Sequence, residues 1–125
     1  MKVVLDASAL LAYLQDEPGS KTVDDVLEES CISAVNWSEV VQKSVAARVE
    51  IDGLREDLEA LGLEIHDFTA MDAGAAGRLR VTTKRFGLSL GDRACLRLGI
   101  MLNLPVLTSD KEWKRPKLPI RVNIC

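Results

Sequence analysis

The chain has 125 residues, with 16 Lys and Arg against 19 Asp and Glu, a net charge of −3, 47% hydrophobic and 28% charged residues. That composition is ordinary for a globular protein, and the length suits one domain, residues 1–125, with a core that needs neither metal nor disulfide staples. No apolar run approaches the ~20 residues that cross a membrane. Asp6 also interrupts the N-terminal apolar segment, so it makes a poor signal peptide and a cytoplasmic protein is expected.

Aromatic residues amount to only 4%, which leaves the core to Leu, Val, Ile and Ala. Cys31, Cys95 and Cys125 are odd in number and lack C-x-x-C spacing, which predicts reduced, partly buried thiols. A lone His66 argues against a Cys/His zinc centre and reads as a structural or surface residue. Charge is unevenly spread. Residues 1–77 hold 5 basic and 16 acidic side chains, whereas 78–121 hold 11 basic and only Asp92, Asp110 and Glu112. A field of that asymmetry can serve an anionic ligand, although two solvated faces explain it as well.

In chain order, KVVL (2–5) predicts a strand, followed by a helix with Leu10, Leu11 and Leu14 on one side. DEPGS (16–20) breaks that helix at Pro18-Gly19. KTVDDVLEES (21–30) is a short acidic amphipathic helix and CISA (31–34) a second strand. Trp37, Val40, Val41, Ser44 and Val45 then recur at helical spacing. Gly53 and Gly62 bracket a polar helix over 54–61, and LEIHDF (63–68) alternates as a strand. TAMDAGAAGRLRVTTKRF (69–86) predicts a helix whose Gly74 and Gly77 admit a closely packed neighbour, ended by Gly87. LSLGDRACLRLGIML (88–102) predicts another helix, with Leu96, Gly99 and Ile100 inward. PVLTSD (105–110) and IRVNI (120–124) supply the last strands. Strands alternating with helices imply a three-layer α/β/α sandwich around a mainly parallel sheet.

Four acids recur at one kind of place. Asp6 follows the first strand, Glu39 lies early in the helix after the second, Asp92 opens a later helix, and Asp110 follows the strand at 105–108. In a parallel sheet such junctions occupy the carboxyl edge, where doubly wound folds bind their ligands. Each acid also has a local explanation. Asp6 can cap the first helix, Asn36/Glu39 and Ser89/Asp92 have capping-box spacing, and Asp110 suits the start of a helical turn. Capping gives no reason for several acids to share one end of one sheet, where carboxylates repel unless a cation compensates. Hard oxygen ligands suit Mg²⁺ or Mn²⁺, which can activate water and stabilise charge on phosphate. The chemistry implied is metal-dependent phosphodiester hydrolysis.

The segments VVLDASALLAYLQDEPG, ISAVNWSEVV, LGLSLGDRACLRLG and LPVLTSD resemble, in order and interval, the PIN-domain ribonucleases, specifically the VapC-type toxins of toxin–antitoxin pairs. The resemblance spans nearly the whole chain, and SLGDRACL followed by PVLTSD is its most specific part. It implies a PIN-like α/β/α fold and an acidic catalytic set of Asp6, Glu39, Asp92 and Asp110. By the same resemblance Asp6 and Asp92 are metal ligands, with Glu39 and Asp110 completing the site directly or through water. Ser8, Asn36 and Thr108 match polar neighbours of those acids, with helix capping or a turn as the other reading. Ala7 departs from the Thr or Ser often found between the first Asp and Ser, and Trp37 is bulky for its position.

The resemblance further implies an endoribonuclease that leaves a 3′-hydroxyl and a 5′-phosphate, a homodimer, and a cognate antitoxin over the active groove. Arg78, Arg80, Lys84, Arg85, Arg93 and Arg97 are candidate RNA-positioning residues, with Lys111 and Lys114 behind them. Leu11, Tyr13, Leu14, Trp37 and Val41 are candidates for an apolar partner groove, with core packing the other reading for Leu11 and Leu14. Two other functions stay open: a PIN nuclease acting on DNA or structured nucleic acid, and a non-catalytic binding or regulatory module whose acids only cap helices.

Overall fold

The computed structural model describes residues 2–114 and 118–125. The Lys114 side chain, one of the expected RNA-positioning groups, lies outside what is described. The elements are β1 (Val3–Leu5), α1 (Ala7–Leu14), α2 (Ser20–Val26), β2 (Ser30–Ser33), α3 (Ala34–Ala46), α4 (Leu54–Ala60), β3 (Glu64–His66), α5 (Ala70–Thr83), α6 (Leu90–Leu102), β4 (Val106–Thr108) and β5 (Val122–Ile124). Short 3₁₀ turns follow α2, α5 and β4. The helix expected over 21–30 therefore ends at Val26 and tightens through Leu27–Glu29 before β2 begins at Ser30.

All five strands pair in parallel, in the order β3-β2-β1-β4-β5. The three-layer α/β/α expectation is borne out. Successive side chains of a strand point to opposite faces, so β1 divides its residues between two cores. Val3 and Leu5 join Leu10, Val23, Ile32, Val40, Leu58 and Leu63 beneath α1–α4. Val4 joins Cys31, Cys95, Leu96, Val106 and Trp113 beneath α5 and α6. Each fully buried Leu or Ile stabilises the fold by about 1.5–3 kcal/mol relative to exposure. Both faces being covered explains why β1 reads as an unbroken apolar run.

Helix amphipathicity is followed except at its margins. Val40 and Ser44 of α3 are buried as their spacing predicts, but Val45 is 54% exposed. In α6, Leu96 and Gly99 are buried and Ile100 half-buried. Gly74 and Gly77 do not admit a neighbour: a Cβ at Gly77 would meet nothing within 4 Å, and one at Gly74 only Arg78 of its own helix. Among the glycines inside helices, the close approaches are instead at Gly91 and Gly99 of α6. Gly87, at φ +70°, ends the helical segment as expected.

All three cysteines are free, and burial pushes the Cys31 thiol up to about 11, so it stays protonated and inert. His66 ends β3, half-buried, with its imidazole 3.5 Å from Glu64. Among the described residues no helix is long and apolar enough to cross a membrane.

Candidate active site

The strand order reverses beside β1: the chain moves outward through β2 and β3, then returns to β4 on the other side of β1. Ligands of open α/β sheets bind outside the carboxyl ends of the strands at such a switch point. A cleft of about 220 Å³ lies there, lined by Asp6, Ala7, Ser8, Asn36, Glu39, Lys43, Ser89, Asp92 and Asp110. The four acids singled out from sequence thus share one cleft. Asp92 reaches it differently from the others, because α6 follows α5 and a 3₁₀ turn rather than a strand.

Asp6 is the most confined. It is 4% exposed and caps α1, its Oδ1 accepting from the Ala9 amide at 2.9 Å and from Ser8 Oγ at 2.8 Å. Thr108 Oγ1 donates to Oδ2 at 2.5 Å. The two hydroxyls then accept from the next loop, Ser8 from the Ser109 amide and Thr108 from the Asp110 amide, each at 3.0 Å. Ser8 and Thr108 therefore tie the end of β1 to the turn after β4, which carries Asp110. Burial raises the Asp6 carboxyl to about 6; these hydrogen bonds only partly offset it, and the negative charge of Asp92 adds to the rise.

Asp92 forms a capping box with Ser89: its Oδ2 accepts from the Ser89 amide at 2.9 Å, and Ser89 Oγ accepts from the Asp92 amide at 3.2 Å. Burial raises its carboxyl too, and Asp110 pushes in the same direction. Asp110 is exposed and organises the 3₁₀ turn that follows, its Oδ1 accepting from the Glu112 amide at 3.0 Å.

Glu39 is held by a device that capping-box spacing misread. The N-cap of α3 is Ser33, whose Oγ accepts from the Val35 amide, so Asn36 lies inside the helix. Its buried amide donates from Nδ2 to Glu39 Oε1 and to the Gly91 carbonyl of α6, both at 2.9 Å. Two acceptors fix the amide orientation, which leaves Asn36 Oδ1 without a partner among the described residues. A Cβ on Gly91 would stand 2.5 Å from Glu39 Oε2 and 2.6 Å from Oε1. The carboxylate thus occupies space that only glycine leaves free.

The expected RNA-positioning residues separate into two groups. Arg78, Arg80, Lys84 and Arg85 are exposed on α5 and the turn after it, with Arg85 stacked 5.1 Å from the Phe86 ring centroid. Arg93 and Arg97 are corrected by the structure. Arg93 is 9% exposed and donates from Nη1 to the Ala76 carbonyl at 3.0 Å. Arg97 pairs with Asp72 at 2.9 Å in the α5–α6 interface. Neighbours on a helix lie about 100° apart, so Asp92 facing the cleft turns Arg93 inward. The cation that does line the cleft is Lys43, one turn beyond Glu39, which sequence reasoning passed over although i,i+4 spacing places it on Glu39's face. Of the expected partner-groove residues, Leu11 is buried, while Tyr13, Leu14 and Trp37 are half-buried against the first core and Val41 is half-buried.

As placed, no three acidic, histidine or cysteine side chains among the described residues are positioned to hold a metal ion together. Asp92 nevertheless adds to the rise of the Asp6 carboxyl, and Asp110 to that of Asp92, a repulsion that a divalent cation would relieve. All-oxygen donors with room for water fit a hydrated Mg²⁺ or Mn²⁺ held by two carboxylates, and do not fit an ion enclosed by protein ligands alone.

Residues 3–118 match the family model described as the PIN domain, so the chain belongs to that family, whose members are generally nucleases. Among solved structures, a chain of VapBC2 from Rickettsia felis bound to a promoter DNA fragment is 21% identical, with a TM-score of 0.71 over 100% of this chain and 99% of that one. A toxin–antitoxin complex from Klebsiella pneumoniae gives 18% identity and a TM-score of 0.72 over 91% and 92% of the two chains. DNA-bound VapBC from Salmonella typhimurium gives 18% and 0.71 over 98% and 97%. Sequence comparison with curated proteins finds no match.

Proposed function

We propose that the chain is a Mg²⁺- or Mn²⁺-dependent endoribonuclease and the toxin of a toxin–antitoxin pair, acting in the cytoplasm as a homodimer and silenced by a cognate antitoxin. The observation that carries the nuclease reading is the cleft itself: four carboxylates at the switch point, with the carboxyls of Asp6 and Asp92 both raised. The likeness in fold to chains of toxin–antitoxin complexes supports the toxin role, and the VapC resemblance favours RNA over DNA.

Asp6 and Asp92 would hold the ion, with Glu39 and Asp110 at its water shell. Bound there, the ion supplies a lowered water pKa and charge stabilisation on the phosphate. Ser8 and Thr108 keep both Asp6 oxygens oriented by donating to them, so its ligand geometry is set before substrate arrives. Asn36 holds Glu39 against Gly91, and Lys43 offers the cleft wall a positive charge for the substrate backbone. Arg78, Arg80, Lys84 and Arg85 are exposed for further phosphate contacts, which add salt-dependent affinity and little sequence information.

One observation favours a second reading, a binding module without catalysis: Asp6 and Asp92 both make capping hydrogen bonds. Asparagine separates the two, because it caps a helix about as well as aspartate and is a poorer metal ligand. With Mn²⁺ and RNA or DNA oligonucleotides, wild type cleaves RNA, while Asp6→Asn and Asp92→Asn stay folded and lose cleavage. Full cleavage by both variants removes these residues from the site. Absence of cleavage by wild type on either nucleic acid favours the binding module.

A further inference from the structure

Beside the acidic cleft lies a second one, of about 570 Å³, lined by Ala34, Val35, Ser38, Glu39, Asp67 and Phe68. The two clefts share Glu39, and both open at the carboxyl edge, where β2 runs into α3 and β3 runs into the segment of Asp67 and Phe68. The volume is in the range of small-ligand sites.

The chain has five aromatic side chains, and most are committed elsewhere. Trp113 is 1% exposed, Tyr13 and Trp37 pack against the first core, and Phe86 lies beneath the Arg85 guanidinium. Phe68 is half-buried and lines the second cleft beside the apolar Ala34 and Val35. The polar groups there are Ser38 and the carboxylates of Glu39 and Asp67, with no basic side chain among the lining residues. Such a wall repels a phosphate and suits a flat, neutral group that offers amino donors at its edge. A nucleobase is that group, and single-stranded RNA is read by bases splayed out onto aromatic side chains.

We propose that the second cleft is a nucleobase subsite, in which the base of a nucleotide flanking the scissile phosphate stacks on Phe68 while the backbone turns past Glu39 into the acidic cleft. This rests on the nuclease reading above and extends it to how the substrate strand is held. An antitoxin side chain is the competing occupant, and the experiment separates the two.

Phe68→Leu keeps an apolar side chain for packing and removes the π face, Phe68→Ala removes both, and Phe68→Trp adds a fluorophore. Stacking contributes on a scale that predicts an increase of about 5- to 100-fold in the KM for RNA cleavage on Phe68→Leu and Phe68→Ala, with kcat little changed. An abasic nucleotide beside the cleaved bond should raise the KM of wild type by a similar factor and leave that of Phe68→Ala unaltered. Independently of activity, the emission that Phe68→Trp adds to that of Trp37 and Trp113 should be quenched by cytidine or adenosine monophosphate and not by ribose phosphate, with wild-type emission unchanged by either. If wild type cleaves no RNA but quenching is base-dependent, the nuclease reading fails and the base subsite stands. Wild-type KM in Phe68→Leu and Phe68→Ala, or quenching equal with ribose phosphate, overturns the subsite. Loss of antitoxin binding in Phe68→Ala with RNA kinetics intact overturns it in favour of the peptide occupant.

Discussion

Two buried aspartates stand at the starts of helices and fare in opposite ways. Asp72, in the first turn of α5, is 6% exposed, shares a capping box with Thr69, and receives Arg97 Nε at 2.9 Å. The Thr69 hydrogen bond and the Arg97 charge hold its carboxyl below the usual range. Asp6, at the start of α1, is equally buried and accepts three hydrogen bonds, yet its carboxyl is raised to about 6. The largest difference is desolvation, which outweighs the hydrogen bonds at Asp6 and is outweighed by them at Asp72. Charge then acts in the same sense, since Asp72 has a cation from its own chain while Asp92 adds to the rise at Asp6. A charge neutralised internally is a structural pin; under the function proposed above, a charge left to repel its neighbours is matched to an ion from outside. The α5–α6 interface is built on the first principle and the carboxyl edge on the second.

The largest effect expected from disturbing this contrast is on catalysis. Asp92→Asn should lower metal-dependent cleavage by at least about 100-fold, since even outer-shell changes at metal sites cost 10- to 100-fold. Its melting temperature without metal should stay near that of wild type. At the other region the signs exchange. Arg97→Ala should destabilise the fold by about 2 kcal/mol in urea titrations, because it removes the charged partner of Asp72 Oδ1 while the Thr69 bonds to Oδ2 remain. Cleavage per folded molecule should be unchanged.

Asp6 also makes stability pH-dependent in metal-free protein. Its folded carboxyl is raised, so between about pH 4 and pH 6 the folded chain binds more protons than the unfolded chain. Stability therefore falls as pH rises through that window, by at most about 3 kcal/mol in total. Asp6→Asn should flatten this part of the profile and be the more stable protein at pH 8 without metal. Denaturation at pH 4.5 and pH 8 measures it, and an identical slope in the variant would refute it.

The smallest expected effect concerns Gly91. An added methyl would first meet the end of the flexible Glu39 side chain, which can move aside, so Gly91→Ala should fold with near wild-type stability. It should displace that carboxylate and reduce cleavage by about 10-fold, the lower end of the range for outer-shell changes. Unaltered cleavage would remove Glu39 from the machinery.

Much of this architecture was legible in the sequence because local signals and topology agree. Short apolar strands, Pro18-Gly19 and Gly87 mark the elements, and parallel strands force their carboxyl ends to one edge. The meeting of Asp6, Glu39 and Asp110 follows from that edge, whereas Asp92 joins them through the packing of α6, which follows a helix rather than a strand. What was not legible depends on rotation about a helix axis. Arg93 was expected at the nucleic acid because it adjoins Asp92, and the same adjacency turns it toward Ala76. Asn36 has the spacing of a helix cap, but Ser33, which ends the preceding strand, performs that role. Gly91 gave no sign that a carboxylate fills its missing side chain, since the two residues meet only through the packing of α3 on α6.

The central claim, that the carboxyl-edge acids await a cation while Asp72 does not, is tested most directly by Mn²⁺ binding at pH 7.5. Free Mn²⁺ can be counted by electron paramagnetic resonance during titration of wild type, Asp92→Asn and Asp72→Asn. The account predicts saturable binding to wild type and to Asp72→Asn, with at least about 10-fold weaker binding to Asp92→Asn. Equal Mn²⁺ affinity in wild type and Asp92→Asn, or no saturable binding to wild type, would contradict it.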